Sequence, residues 1–101
     1  MPELKPDDFV RISTLFVPEV VTSLAISPKG DFVAIAAGDK VHIHGIPAMF
    51  RGDSTAATPQ EFPRLVTLYM PDKVQAIVFS PDGKLLTAAI SNKVHIYRVP
   101  D

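Results

Sequence analysis

Short apolar runs, separated by clusters of proline, glycine and polar residues, occupy most of this chain. The runs are rich in Val, Ile, Leu and Phe, and residues of this kind are typical of strands. Almost no segment has apolar residues at the 3.6-residue spacing of an amphipathic helix. The pattern therefore predicts an all-β chain with eight strands, at about 11–17, 21–27, 32–38, 40–46, 64–70, 74–80, 84–91 and 93–99.

These strands form two groups of four, because residues 11–47 and 64–100 align with a constant offset of 53 and without a gap. In this alignment 14 of the 37 positions are identical, and most of the others exchange one apolar residue for another. Repeats of this length are structural units that bury their apolar faces against neighbouring units. The chain is predicted to contain an N-terminal extension (1–10), a first repeat (11–47), a long connecting loop (48–63) and a second repeat (64–101).

Each repeat carries the same turn signal between its second and third predicted strands. The turns read SPKG at 27–30 and SPDG at 80–83. Proline fixes φ at one corner of such a turn, and glycine accepts the positive φ that follows. Gly38-Asp39 and Ser91-Asn92 are predicted to form the next turn of each repeat.

The order of these elements resembles the WD40-type β-propeller. The stretches AISPKG (25–30) and VFSPDGK (78–84) look like that family's first inner strand and the turn after it. KVHIH (40–44) and KVHIY (93–97) look like its third inner strand. In that family each repeat begins with the outer strand of one blade and continues with three inner strands of the next. The resemblance implies a propeller segment of two four-stranded antiparallel blades.

Two signature dipeptides of the family are absent from both repeats. Pro18-Glu19 and Pro71-Asp72 stand near the position of its Gly-His pair, and His44-Gly45 and Tyr97-Arg98 replace its Trp-Asp pair. The buried hydrogen-bond network that the family builds on these residues therefore cannot form as such, and only Asp39 and Asn92 occupy its turn position.

The number of repeats raises a question of assembly, since a propeller closes its ring with about 4–8 blades and this chain has two. A pair of blades with two apolar faces leaves large apolar patches in water. Three arrangements resolve this: a piece of a longer propeller, a head-to-tail ring of several copies, or two sheets packed as a small sandwich. In the head-to-tail ring, the edge strand Arg11–Val17 of one copy completes the last sheet of the next, so the chain is its own partner.

Composition narrows the class of protein. The formal net charge of −1 provides no global field that attracts nucleic acid or an anionic membrane. The chain has no cysteine, which suits a reducing compartment, and its N-terminus does not read as a secretory signal. No apolar run approaches the roughly 18–20 residues that span a bilayer. We therefore expect an intracellular protein, cytoplasmic or nuclear, with protein partners and neither nucleic acid nor membrane as a partner.

Three histidines are the candidate metal ligands. His42 and His44 lie two residues apart, and so on one face of a strand, while His95 is the repeat counterpart of His42. Zinc needs three or four ligands that converge on one point, and equivalent positions of adjacent blades point the same way. We interpret the histidines as inter-blade packing residues with polar tips and expect neither a metal nor a cofactor.

The long loop is the most distinctive surface that the sequence offers. Met49, Phe50 and Arg51 combine an apolar pair with an arginine, a common composition of contact anchors, and are the predicted partner-binding residues. Arg51 also begins an Arg-Gly-Asp tripeptide of the kind read by adhesion receptors, and Thr58-Pro59 has the form of a phosphorylation site. Both short motifs recur often by chance, so we interpret them as ordinary loop sequence.

No catalytic motif is recognisable in the sequence: there is no nucleophile elbow, phosphate loop or pair of carboxylates at a credible spacing. The resemblance places the first inner strands on the ring axis, and there only Thr22, Ser23 and Gln75 are polar. The sequence therefore favours a non-enzymatic scaffold for protein–protein contacts, with no catalytic residues. The alternatives are a fragment of a propeller-type hydrolase and a self-assembling structural protein.

Overall fold

A computed structural model describes residues 3–47 and 62–100 and confirms the all-β fold. A short 3-10 helix at Pro6–Asp8 precedes the strands. Residues 3–47 and 62–100 contain seven strands: β1 (Val21–Ile26), β2 (Phe32–Ala37), β3 (Lys40–Gly45), β4 (Arg64–Tyr69), β5 (Ala76–Phe79), β6 (Leu85–Ile90) and β7 (Lys93–Arg98). Within the described residues, no helix is long and apolar enough to cross a membrane.

The strands form two antiparallel sheets, which we call blade 1 and blade 2. Blade 1 has the order β1-β2-β3-β4, and blade 2 has the order β5-β6-β7. Strand β4 belongs to the second repeat in sequence, but it pairs with β3 of the first, for example Val41 with Leu68 and His42 with Thr67. This stagger is the one that the propeller resemblance implies.

The predicted strand at 11–17 is wrong, because these residues form no strand in the structure. Their repeat counterpart, β4, gains its hydrogen bonds from the third strand of the preceding sheet. The described part of the chain contains no sheet before blade 1, so residues 11–17 have no equivalent strand edge to pair with. Blade 2 accordingly has three strands among the described residues.

The two proline turns have the predicted geometry. Gly30 and Gly83 both have φ of 74°, in the left-handed region that favours glycine. Each turn is closed by the serine before the proline: Ser27 Oγ accepts from the Phe32 amide at 3.0 Å, and Ser80 Oγ accepts from the Leu85 amide at 3.0 Å. The same local chemistry therefore sets the same hairpin in both repeats.

Candidate interaction surfaces

The core of the molecule lies between the blades, where two different faces meet. The front face of blade 1 comprises Ala25, Ala34, Ala36, Val41 and Ile43, which share one side of the sheet by strand register. The back face of blade 2 comprises Ile77, Phe79, Leu86, Ala88, His95 and Tyr97. Except for His95, these residues lie in one hydrophobic cluster or pack against it. Front against back is therefore the contact by which one blade stacks on the next.

The polar residues of the first inner strand join the two blades. Thr22 Oγ1 donates to the carbonyl oxygens of Val74, at 3.0 Å, and Ala36, at 3.3 Å. Ser23 Oγ accepts from the backbone amide of Ile77 at 3.2 Å. Both hydroxyl groups are thus committed to backbone hydrogen bonds that hold neighbouring strands in place.

The front face of blade 2 is open to solvent. It is the repeat counterpart of the front face of blade 1, with Val78, Leu85, Thr87, Ala89, Val94 and Ile96 on one side of the sheet. Val78 is 60% exposed, and Val94 and Ile96 are each 63% exposed. Exposed apolar residues that share one face of a sheet mark an interaction surface. The front face of blade 2 is therefore the principal candidate site.

The back face of blade 1 is the second candidate surface and is partly covered. It comprises Leu24, Ile26, Val33, Ile35, His42 and His44, of which Leu24 and Ile26 are exposed while Ile35 and both histidines are buried. Phe16, Val17 and Pro18 line a pocket together with His42, His44 and Arg64. The segment before β1 therefore lies beside the two histidines.

The histidines of blade 1 are held by neighbours of β4. His42 Nδ1 and the Thr67 hydroxyl are hydrogen-bonded at 3.0 Å, and His44 Nδ1 donates to the Phe62 carbonyl at 2.8 Å. Among the described residues, His42 Nε2 is the buried side-chain polar atom without a hydrogen-bond partner. Burial, reinforced by the positive charge of Arg64, lowers the pKa of His42 below its usual value of 6.5. His42 therefore favours its neutral form.

The three histidines do not converge on one point, as the ligands of a metal ion would. His42 and His44 share the back face of blade 1, whereas His95 lies on blade 2 with its ring centroid 6.3 Å from that of Tyr97. Across residues 3–47 and 62–100, no group of three or more His, Asp or Glu side chains is arranged to hold a metal ion. The sequence predicted inter-blade packing for all three, but His42 and His44 lie on the side of blade 1 away from blade 2, whereas His95 lies on the face of blade 2 that meets blade 1.

The predicted partner-binding residues Met49, Phe50 and Arg51 lie outside the described residues, as do Gly52, Asp53 and the Thr58-Pro59 pair. Their role stays a prediction.

Comparison with solved structures identifies the architecture. The chain superposes on one chain of a structure described as "Crystal Structure of Mitotic Checkpoint Complex" with a TM-score of 0.66 and 23% sequence identity. The fold is that of a WD40-like β-propeller segment. The match covers 89% of this chain but only 26% of the other, so this chain spans about a quarter of that length. The sequence matches no protein-family model and no curated protein.

Proposed function

We propose that this WD40-like segment is a non-enzymatic scaffold that mediates protein–protein contacts through its blade faces. The observation that carries the proposal is the exposed front face of blade 2, where Val78, Val94 and Ile96 lie together on one side of the sheet. Its counterpart on blade 1 is already buried by a blade, so the surface is built to be covered by protein. The cysteine-free composition fits an intracellular setting.

The side chains beside the first inner strands support a structural role over a catalytic one. Thr22 and Ser23 direct their hydroxyl groups to the backbone of neighbouring strands. A nucleophilic hydroxyl needs an adjacent general base instead. The contacts of these residues therefore favour the scaffold over the propeller-type hydrolase.

A photoreactive amino acid tests the surface directly. We expect a photoreactive phenylalanine analogue in place of Ile96 to give protein adducts inside cells, because this position lies in the centre of the open face. The matched control carries the same analogue in place of Leu4, which is 70% exposed but belongs to the N-terminal extension. Equal labelling at both positions, or none at Ile96, would contradict the proposal.

The long loop is proposed as a second contact region, with Met49, Phe50 and Arg51 as its anchors. Support comes from their composition, since Arg and large apolar residues dominate the contact energy of interfaces. Changing all three to Ala is expected to reduce capture of the partners that the photoreactive chain identifies. The matched control changes Thr58, Gln60 and Glu61 of the same loop to Ala. If both triple variants capture equally well, these residues are not anchors.

A further inference from the structure

We propose that the partner of the front face of blade 2 is the back face of blade 1 in a second copy of this chain. The inference rests on the proposed function, because it names the protein that the scaffold surface binds. The contact is head to tail: the two surfaces are different, and each copy uses one of them toward each neighbour.

The blade contact within the chain supplies the template for the contact between copies. The offset of 53 relates the buried front face of blade 1 to the open front face of blade 2, with Val41 and Ile43 replaced by the identical residues Val94 and Ile96. The same offset relates the back face of blade 2 to that of blade 1. A second copy placed by this relation therefore repeats a contact that the structure already contains.

The edge strand of blade 2 supports the same relation between copies. β7 is an edge strand among the described residues, whereas its counterpart β3 is paired with β4. The six residues of β4 read RLVTLY, and their counterparts at 11–16 read RISTLF. The pairing of His42 with Thr67 becomes His95 with Thr14 of the second copy, and Val41 with Leu68 becomes Val94 with Leu15. Residues 11–16 are therefore the strand that completes blade 2 of a neighbouring copy.

The position of this segment in the free chain fits that role. Within the chain, Met70 follows β4 and accepts a hydrogen bond from the Tyr97 hydroxyl on the back face of blade 2, at 3.2 Å. Its counterpart Val17 lies beside His44, the counterpart of Tyr97, on the back face of blade 1. The segment before β1 thus lies against the back face of blade 1 where the outer strand of a preceding blade would lie.

Phe16 supplies a further correspondence. It is 91% exposed, which is unusual for an aromatic residue beside a buried face. Its counterpart Tyr69 pairs with Lys40, whose ammonium group lies 6.0 Å from the centre of the tyrosine ring. In the assembled form Phe16 pairs in the same way with Lys93 of the neighbouring copy, so its exposed ring gains a cationic partner.

The polar interactions between copies differ from those between the two blades of one chain. Thr22 and Ser23, which bond the backbone of blade 2, are replaced at the equivalent positions by Gln75 and Ala76. Contact between copies therefore relies more on apolar burial and on the added strand. If each copy contributes the two blades that residues 3–47 and 62–100 form, rings of four, six or eight blades contain two, three or four copies.

Engineered cysteines test the register of this contact, because the natural chain contains no cysteine. We expect Thr14→Cys and His95→Cys chains, co-expressed and mildly oxidised, to form a covalent dimer of twice 11.0 kDa. Neither variant alone should do so in a head-to-tail contact. Replacing His95→Cys by Val94→Cys is the matched control, since a shift of one residue turns the side chain to the opposite face. A His42→Cys/Thr67→Cys chain is the positive control, because that pair is in contact within one molecule.

Light scattering of the natural chain completes the test. A mass of two, three or four times 11.0 kDa together with the mixed disulfide supports the proposal. Larger assemblies with the same disulfide also support the contact and show that the ring does not close. A monomer without the mixed disulfide overturns the proposal, as does a dimer linked through Thr14→Cys in both copies. Adducts of other proteins at position 96 would then leave the scaffold function standing while this inference fails.

Discussion

Ser91 and Gly38 occupy the same turn of the two repeats, and both have a left-handed backbone, with φ of 54° and 59°. Glycine adopts this conformation without a steric penalty, whereas serine does not. We expect Ser91→Gly to raise the free energy of unfolding by about 0.5–1 kcal/mol. Urea titration of the variant and of a Ser91→Ala control measures the effect. An unchanged midpoint in Ser91→Gly would contradict this expectation.

His42 makes folding stability depend on pH. Its pKa in the folded chain lies below the value of about 6.5 expected when unfolded, so the unfolded chain binds the proton first. The contribution of His42 is present above pH 6.5 and is lost as pH falls below it toward the folded pKa. Arg64, His44 and Lys40 deepen the shift, and Glu19 opposes it.

We therefore expect the unfolding free energy to fall between pH 7.5 and 5.5, with a smaller fall in His42→Gln. Urea titrations at several pH values measure both slopes. Equal slopes would mean that other groups carry the dependence.

At the scale of elements, the two proline turns provide a matched pair. Ser27 is 4% exposed, and its hydroxyl accepts from the amides of Asp31 and Phe32. Among the described residues, the Ser80 hydroxyl accepts from the Leu85 amide alone, because Asp82 accepts from the amide of Lys84 instead. Ser27→Ala leaves two part-buried amides without this partner and is expected to cost about 2 kcal/mol, whereas Ser80→Ala leaves one exposed amide and is expected to cost about 1 kcal/mol. Urea denaturation compares the two, and equal losses would contradict the argument.

These turns were predictable because their chemistry is local: Pro28 and Gly30 fix the backbone whatever surrounds them. The strand predicted at 11–17 could not be judged from sequence in this way. Its apolar residues match those of β4, but a strand also needs the edge of another strand to pair with. The offset of 53 carried the signal for the open front face, as Val94 and Ile96 repeat Val41 and Ile43. The structure was needed to show which of the two front faces is buried, because this depends on how the blades stack.

At the scale of the whole molecule, one pair of equivalent residues distinguishes an effect on folding stability from an effect on assembly. Ile43 packs between the two blades, whereas Ile96 occupies the same position on the open face. A lysine at position 43 places a charge against the core, so Ile43→Lys is expected to lower the unfolding free energy by more than about 2 kcal/mol. Ile96→Lys leaves its ammonium group in water in the separate chain, where surface changes typically stay within about 0.5 kcal/mol.

Assembly makes the stability of the folded chain depend on its concentration, because a contact made only by folded chains stabilises them by mass action. The thermal midpoint of the natural chain is therefore expected to rise with protein concentration. Ile96→Lys should remove that dependence and reduce the mass to 11.0 kDa, because the lysine enters the apolar contact between copies. Scanning calorimetry at several concentrations makes the measurement. Two results would show that the front face of blade 2 does not bind a second copy. One is a midpoint of the natural chain that does not depend on concentration, and the other is a concentration dependence that Ile96→Lys leaves unchanged.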